Sequence, residues 1–289
     1  MENTLPKRSI SRVASASRRP GSHAFSAANV GVTQLGPDLD PILTVDHFKM
    51  RQPVFAPHPH AGFSAVTYLF EDSEGAFVNR DSLGHRLLAQ PGAVIWTVTG
   101  RGVIHEEYPH EPGKLSHGLQ VFVNLAATEK LQPPRVLFAN GQDVPVLEQN
   151  GVRARVLAGM TANVRSAFEA PSDLTFLDVR LGAGAGFQHA LALEANVFVY
   201  VIEGELLIED SARTIRSGDA ASFNKDGESV FVRAGSSGAR FVLFAGRPLQ
   251  ERIVAQGPFI MNSEEQITEA LQRYQAGDMG QLKPAQTVP

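Results

Sequence analysis

Two short segments of the chain each place metal-ligating side chains two residues apart. His58 and His60 form the first pair, and His105 and Glu107 form the second. Side chains alternate between the two faces of a β-strand, so residues two apart point to the same side. Neutral imidazole and carboxylate groups suit iron(II), manganese, nickel, copper and zinc. The spacing therefore predicts that the two pairs converge on one divalent metal ion.

Glu106 competes with Glu107 for the role of the carboxylate ligand. Glu106 is expected on the opposite face of the strand from His105, which favours Glu107. An isolated histidine is more often an ordinary surface or core residue than a ligand. Here two pairs bracket one strand–turn–strand region, and that arrangement favours a metal site over the ordinary interpretation.

The composition is that of a folded, two-domain protein. The chain has 289 residues, of which 43% are hydrophobic, and its net charge of −4 argues against direct binding to nucleic acid. It has no cysteine, which excludes disulfides, iron–sulfur clusters and cysteine zinc sites. No apolar run approaches the ~18 residues of a membrane span, and the N-terminus lacks a signal-peptide core. We therefore expect a cytoplasmic protein with no membrane contact.

Short strand-like runs separated by turns surround the two pairs. β-branched and aromatic residues fill residues 65–70, 93–98 and 119–125, and Pro91-Gly92 has the residue types of a turn. Regularly spaced short strands of this kind indicate an all-β sandwich or barrel. Such a framework is able to bring both pairs to one place.

The second half of the chain repeats this order of elements. Strand-like runs at 175–181, 197–205 and 241–245 follow a turn-rich stretch at 133–151, which indicates a duplicated fold. The first residues are basic, serine-rich and without apolar periodicity, which predicts a solvated arm that includes Arg18-Arg19. The predicted organisation is a flexible basic arm over residues 1–30, a metal-binding domain over 31–145 and a second domain over 146–289.

The second domain lacks an equivalent of the ligand pairs. His189 stands where a first ligand is expected, but Leu191 follows two residues later, and the partner segment around Val230 has no histidine. We therefore expect this domain to be free of metal. Helical spacing occurs only near the C-terminus, where Ser263 with Gln266 has a capping-box pattern and a glycine at 277 ends the helix.

Other catalytic patterns are missing from the sequence. It contains no Gly-x-Ser-x-Gly elbow, phosphate-binding loop or His-Glu-x-x-His motif. The glycine-rich residues 182–186 precede a strand-like segment rather than a helix, so they are interpreted as a turn.

Several motifs agree in order and spacing with one family. They are HPHAGF at 58–63, RDSLG at 80–84, PGAVIW at 91–96, GRGVIHEEYP at 100–109, GPFIMNSEEQI at 257–267 and YQAG at 274–277. Together they resemble pirin, a bicupin of the cupin superfamily, over about residues 40–280. The resemblance implies an all-β fold of two tandem cupin β-barrels with a short C-terminal helix and a degenerate C-terminal cupin.

The resemblance also implies the ligand set and the metal. Matched position by position, the pirin ligands fall on His58, His60, His105 and Glu107. One ion is expected in the N-terminal cupin, with Fe(II) first and Mn, Ni, Cu or Zn as alternatives. Many pirins carry Arg and Glu around the Gly-Phe that follows the second histidine, where this chain has an alanine at 61 and a serine at 64, so the substrate is left open.

Two functions follow from the resemblance. The first is a quercetin 2,3-dioxygenase-type oxidoreductase that cleaves a small, flavonol-like substrate with release of carbon monoxide. Glu107 is then the catalytic residue that accepts the substrate hydroxyl proton, and Phe63 and Trp96 are candidates for the pocket wall, with a core role favoured for Trp96. The second is a non-enzymatic regulator that docks onto protein partners according to the redox state of its metal. A cupin isomerase or a non-catalytic small-molecule binder is a third reading.

Overall fold

Strands dominate the protein, which we describe from a computed structural model over residues 5–18, 20–208 and 213–285. Two α-helices are present in these ranges, α1 at Val32–Leu35 and α2 at Glu264–Ala276, with 3₁₀ turns at Gly36–Leu39 and Gly141–Asp143. The all-β class and the short C-terminal helix are therefore confirmed. Neither of these helices is long and apolar enough to cross a bilayer.

Most strands are short and follow one another closely along the chain, whereas the strands at Asn196–Ile208 and Ser229–Gly246 have 13 and 18 residues. The first twelve are β1 Ile10–Ser15, β2 Ser17–Arg18, β3 Phe25–Gly31, β4 Ile42–Met50, β5 His58–His60, β6 Phe63–Leu69, β7 Phe77–Asp81, β8 Arg86–Ala89, β9 Val94–Val98, β10 Val103–Pro109, β11 Ser116–Asn124 and β12 Arg135–Ala139. The others are β13 Val146–Gln149, β14 Val152–Ala158, β15 Met160–Thr161, β16 Val164–Arg165, β17 Leu174–Leu181, β18 Gly186–Ala190, β19 Asn196–Ile208, β20 Arg213–Arg216, β21 Asp219–Phe223, β22 Ser229–Gly246, β23 Val254–Gln256 and β24 Phe259–Met261.

The first domain is a compact unit formed by the described parts of residues 18–29, 42–142 and 249–289. It has a sheet of order β12-β9-β6-β11-β4-β3-β2 and a second sheet of order β5-β10-β7-β8. Phe48, Leu69, Phe77 and Ile95 are among the apolar side chains buried together in this domain. Both predicted ligand pairs lie in the smaller sheet, because they occupy β5 and β10.

The C-terminal segment belongs to the first domain. Its helix α2 begins at Ser263, whose Oγ accepts a hydrogen bond from the Gln266 N–H at 3.3 Å, and ends at Gly277 with a φ of 82°. The predicted N-cap residue and helix end are thus confirmed, but the capping box is not closed, because the Gln266 side chain accepts the Asn262 N–H at 2.9 Å rather than that of Ser263. Phe259 and Ile267 pack with Ala61, which directly follows the first ligand pair in sequence.

Lys130 also connects this segment to the residues that directly follow the first ligand pair. Its fully buried Nζ donates to Gly62 O at 2.6 Å, to Asn124 Oδ1 at 2.6 Å and to Ile260 O at 3.2 Å. Burial lowers the pKa of Lys130 to about 8. The three oxygen acceptors compensate for the lost hydration of the ammonium group.

The second domain is formed by the described parts of residues 1–17, 30–41 and 143–248. Its main sheet has the order β1-β21-β19-β22-β17-β14-β13, with β18 paired to β22 and β20 to β19. Alternating residues of β14, β17, β19 and β22 turn toward a single apolar cluster that includes Val179, Val199 and Phe241.

The structure differs from the predicted arm over 1–30 and from the predicted domain limits at 31–145 and 146–289. β1 pairs with β21, and the buried guanidinium of Arg8 donates to the carbonyl oxygens of Ala192, Leu193, Ala195 and Gly227. β1 is a half-exposed edge strand, so it lacks the apolar periodicity that marks a core strand. Residues 1–4 and 19, which the predicted arm includes, lie outside the described residues.

Candidate metal centre

Antiparallel pairing of β5 with β10 brings the three predicted histidine ligands together. His58 stands opposite His105, and His60 stands opposite Val103. The three imidazole ring centroids are 4.8 Å (His58 to His60), 4.7 Å (His58 to His105) and 4.9 Å (His60 to His105) apart. The rings therefore form a nearly equilateral triangle.

The ligand atoms of this triangle have the spacing that a single ion needs. One nitrogen from each of His58, His60 and His105 lies within 4.8 Å of the others. Two nitrogen ligands bound at ~2.1 Å to one ion are at most ~4.2 Å apart. Small side-chain rotations are enough to close the widest of these distances.

The polar environment of the rings also fits a metal ion. The Nδ1 atom of His58 lies 2.9 Å from the Ala56 carbonyl oxygen, so Nδ1 carries the proton and Nε2 keeps its lone pair. The Nδ1 atoms of His60 and His105 are buried and have no hydrogen-bond partner among the described residues. An ion bound between the rings would give such nitrogens a partner.

Burial keeps two of the imidazoles in the neutral, ligating form. Desolvation, followed by the charge of His58, lowers the pKa of His60 to about 3. Desolvation, followed by the charges of His60 and His58, holds the pKa of His105 well below its ordinary value. Protons therefore compete little with a metal ion for these nitrogens near neutral pH.

Glu107 lies in the same cavity as the imidazoles. Its Oε1 accepts hydrogen bonds from Thr67 Oγ1 at 2.6 Å and from Asn79 Nδ2 at 3.0 Å. Burial raises the pKa of Glu107, and these two hydrogen bonds oppose that rise. Glu107 is not in the group of ligand atoms within 4.8 Å, so its place in the ligand set stays a prediction.

Glu106 points away from Glu107, as strand alternation requires. Its carboxylate pairs with Arg80 and accepts the Ala285 backbone N–H at 3.0 Å. Glu106 therefore lies on the opposite face of β10, where its carboxylate binds Arg80 and the backbone of the C-terminal segment.

A cavity of about 310 Å³ lies beside the three imidazoles. This volume is at the small end of the range for ligand sites. Its wall is mostly apolar and includes Phe25, Phe48, Met50, Phe55, Phe77 and Phe122. Planar aromatic faces and edges along the wall suit an aromatic ligand.

Three polar side chains, Thr44, Asp46 and Gln120, interrupt this apolar wall. Asn29 Nδ2 donates to Asp46 Oδ1 at 2.9 Å, and Thr67 Oγ1 lies 2.9 Å from Gln120 Oε1. The cavity therefore offers hydrogen-bonding groups to a ligand that carries hydroxyls.

Sequence reasoning missed the residues that hold Glu107. Thr67 and Asn79 come from separate strands. Thr67 is a polar residue in the mostly apolar β6, which was an available signal, whereas Asn79 precedes Arg80 and Asp81 in β7 and has no such signal. Phe63 and Trp96 do not line the cavity. The Phe63 ring contacts the His60 ring at 5.2 Å, and Trp96 is fully buried in the core.

Comparison with known proteins agrees with this geometry. The Pirin family model matches residues 15–123, and the Pirin C-terminal cupin domain model matches residues 176–280. A pirin-like protein from Solanum lycopersicum is 34% identical over 95% of this chain and 94% of its own length. The chain belongs to the pirin family. The matches to both cupin domains also confirm the predicted bicupin fold.

Two further matches carry the name of an enzyme. A putative quercetin 2,3-dioxygenase from Pseudomonas aeruginosa is 36% identical over 89% of this chain and 94% of its own length. The crystal structure of quercetin 2,3-dioxygenase from Acinetobacter baumannii superposes with a TM-score of 0.85 at 26% identity. That match covers 96% of this chain and 100% of the other.

Proposed function

We propose that this pirin is a metal-dependent dioxygenase that acts on flavonol-type substrates, as a quercetin 2,3-dioxygenase does. The observation that carries the proposal is the convergence of three imidazoles at one end of an aromatic-walled cavity. The names of the two relatives described above support the same reaction class. Fold alone does not establish it, because one fold hosts many activities.

The ligands proposed for the ion are His58, His60 and His105, with Glu107 as a fourth. Three imidazoles and a carboxylate suit one divalent first-row metal ion, for which we propose Fe(II), with Mn, Ni, Cu or Zn as alternatives. When bound, the ion supplies Lewis-acid chemistry and a meeting point for substrate and dioxygen.

The side chains of the chain itself supply orientation, proton transfer and exclusion of water. The aromatic wall holds a planar substrate against the imidazole triangle, which lowers the entropic cost of the reaction. Glu107, fixed by Thr67 and Asn79, accepts the proton of the substrate hydroxyl. Asp46 and Gln120 contribute hydrogen bonds to the other hydroxyl groups of such a substrate.

The proposal is tested with untagged protein loaded anaerobically with iron, manganese, nickel or copper. Quercetin and dioxygen are then added, and oxygen uptake, loss of quercetin absorbance and carbon monoxide are measured together. We expect one carbon monoxide for each quercetin and each dioxygen consumed. His105→Ala is the metal-deficient control, and His110→Ala is the matched control for an exposed imidazole. Stoichiometric metal binding without oxygen uptake for every metal contradicts the dioxygenase function.

That negative outcome is also the result expected of the second function, a metal- and redox-dependent regulator that acts through protein partners. A regulator needs neither an open coordination position nor a substrate cavity. The cavity beside the imidazoles therefore favours catalysis. A cytoplasmic location stays a prediction from the cysteine-free composition.

A further inference from the structure

A second imidazole cluster lies in the first domain, away from the proposed metal centre. His47 on β4 and His117 on the neighbouring strand β11 place their Nε2 atoms 2.7 Å apart. Asp46, the residue before His47, lines the cavity, so His47 points to the opposite face of the sheet. The cluster is therefore separate from the cavity.

A carboxylate orients one member of this pair. Asp72 Oδ2 lies 2.8 Å from His117 Nδ1, so His117 donates its Nδ1 proton to Asp72. In neutral His117 the lone pair is then on Nε2, which faces His47. The contact between the two Nε2 atoms holds one proton, which His47 donates.

We propose that His47 and His117 form a second metal site, which takes a late first-row divalent cation such as Zn(II), Ni(II) or Cu(II). Imidazole is a preferred ligand of these ions. Two bonds of ~2.1 Å at roughly tetrahedral or right angles separate the ligand nitrogens by about 3.0–3.4 Å. The two Nε2 atoms need to part by only about 0.3–0.7 Å to accept the ion, and His47 gives up its Nε2 proton and carries one on Nδ1 instead, so that both imidazoles bind in the neutral form.

The surroundings of the pair are already ordered for binding. The Phe70 ring contacts the His47 ring at 5.7 Å and the His117 ring at 4.8 Å, both edge to face. The carboxylate of Asp72 behind His117 is the partner that metal-binding histidines usually have. His117 is buried, whereas the Asp72 side chain is 41% exposed, so an ion reaches the pair from the solvent side. A preformed pair loses little conformational freedom on binding.

The test is a calorimetric titration of untagged, metal-stripped full-length protein with Zn(II) and with Ni(II). The wild type is expected to bind two equivalents, His47→Ala one, His105→Ala one, and the double variant none. Asp72→Asn is expected to weaken the second equivalent about tenfold, because the orienting carboxylate is lost. His110→Ala removes an exposed imidazole that belongs to neither cluster and is expected to match the wild type.

A single equivalent in the wild type, or two equivalents in His47→Ala, overturns the second site. If His47→Ala does not fold, electron paramagnetic resonance of Cu(II)-loaded His105→Ala provides an independent test of the second site. Coupling to two imidazole nitrogens is expected there, and coupling to fewer overturns the proposal. Because His105→Ala removes only the ion of the cavity, failure of the second site is distinguishable from failure of the proposed function.

Discussion

The two domains share a pattern of strand pairing, but the side chains at the matched positions are polar in the first domain and mostly apolar in the second. β18 pairs with β22 as β5 pairs with β10, and the paired residues of the two domains correspond through this register. The matched positions are His58 and Phe187, His60 and His189, Asn79 and Leu206, His105 and Val232, and Glu107 and Ala234. Four of these five polar residues of the first domain thus have an apolar residue at the matched position of the second domain.

This difference shows how a cupin barrel exchanges chemistry for packing. Phe187, Leu206, Val232 and Ala234 all belong to the apolar cluster of the second domain. Each apolar side chain buried there stabilises the fold by about 25 cal/mol for every Å² removed from water. In the first domain, four of the five matched positions line a cavity, and all five carry groups whose burial is costly unless an ion or hydrogen bond compensates.

The largest expected effect comes from giving the first domain a residue of the second. His105→Val places at position 105 the residue type that Val232 has at the matched position of the second domain. It leaves only two imidazoles at the centre. We expect the ion of the cavity to be lost, so that metal content falls by one equivalent for each chain, and oxygen uptake to disappear. Elemental analysis of protein purified without added metal measures the first effect. Unchanged metal content contradicts the role of His105 as a ligand.

Glu107→Gln is expected to have the next largest effect. The glutamine keeps an oxygen to accept the hydrogen bonds of Thr67 and Asn79, but it removes the base. We expect kcat to fall about 100-fold or more, the usual contribution of a general base. Metal content, measured in parallel, shows whether Glu107 is also required for metal binding. Glu106→Gln is the matched control on the other strand face, and equal loss of activity in both variants contradicts the assignment.

His189 is the one matched position that carries a histidine in both domains, and its burial predicts that the stability of the protein depends on pH. Burial lowers the pKa of His189 to about 4 in the folded protein, whereas an unfolded histidine has a pKa near 6.5. The unfolded state therefore binds more protons between these values, and stability falls as pH drops from 6.5 to 4, by about 3 kcal/mol in total.

His189→Gln is expected to remove this part of the acid sensitivity. Urea unfolding of metal-free protein at pH 7 and pH 4.5 measures it as a smaller difference between the two conditions. The variant also loses the contact of His189 Nδ1 with Thr161 Oγ1, so the difference between the two pH values is the readout, not the stability at either. An unchanged difference contradicts the buried, neutral state of His189.

The smallest expected effect is at the mouth of the cavity. Phe55 is 44% exposed and contacts the Phe25 ring edge to face at 5.2 Å, beside His58. Phe55→Ala is expected to raise KM three- to tenfold with little change in kcat, since one aromatic contact contributes about 1 kcal/mol. Phe138→Ala, an exposed phenylalanine on β12 outside the cavity lining, serves as the control. A fall in kcat at constant KM contradicts a binding role.

The sequence predicts most of the local features of the first domain. Alternation along β5 and β10 was enough to select the histidines and to separate Glu107 from Glu106, because strand periodicity is a local property. The cap at Ser263 was equally local. Each of these features depends on residues within a few positions of one another.

Features that depend on pairing across long sequence distances were not predicted. Thr67 and Asn79 approach Glu107 only after three strands have assembled. His47 and His117 are 70 residues apart, and neither has a ligand-type pattern in its own segment. β1 was interpreted as part of a flexible arm because its partner β21 lies some 200 residues away. Composition and periodicity carry no information about such partners.

The interleaved make-up of the first domain also has a consequence for its synthesis. Residues 249–285 supply Phe259 and Ile267 against Ala61, and Ile260 shares the Lys130 ammonium with Gly62. On the ribosome, the histidine-bearing strands emerge long before this closing segment, with the central part of the second domain made in between. The packing against Ala61 and the third acceptor of Lys130 are therefore added only after the central part of the second domain has been synthesised, whereas the residues that line the cavity all lie between 25 and 122.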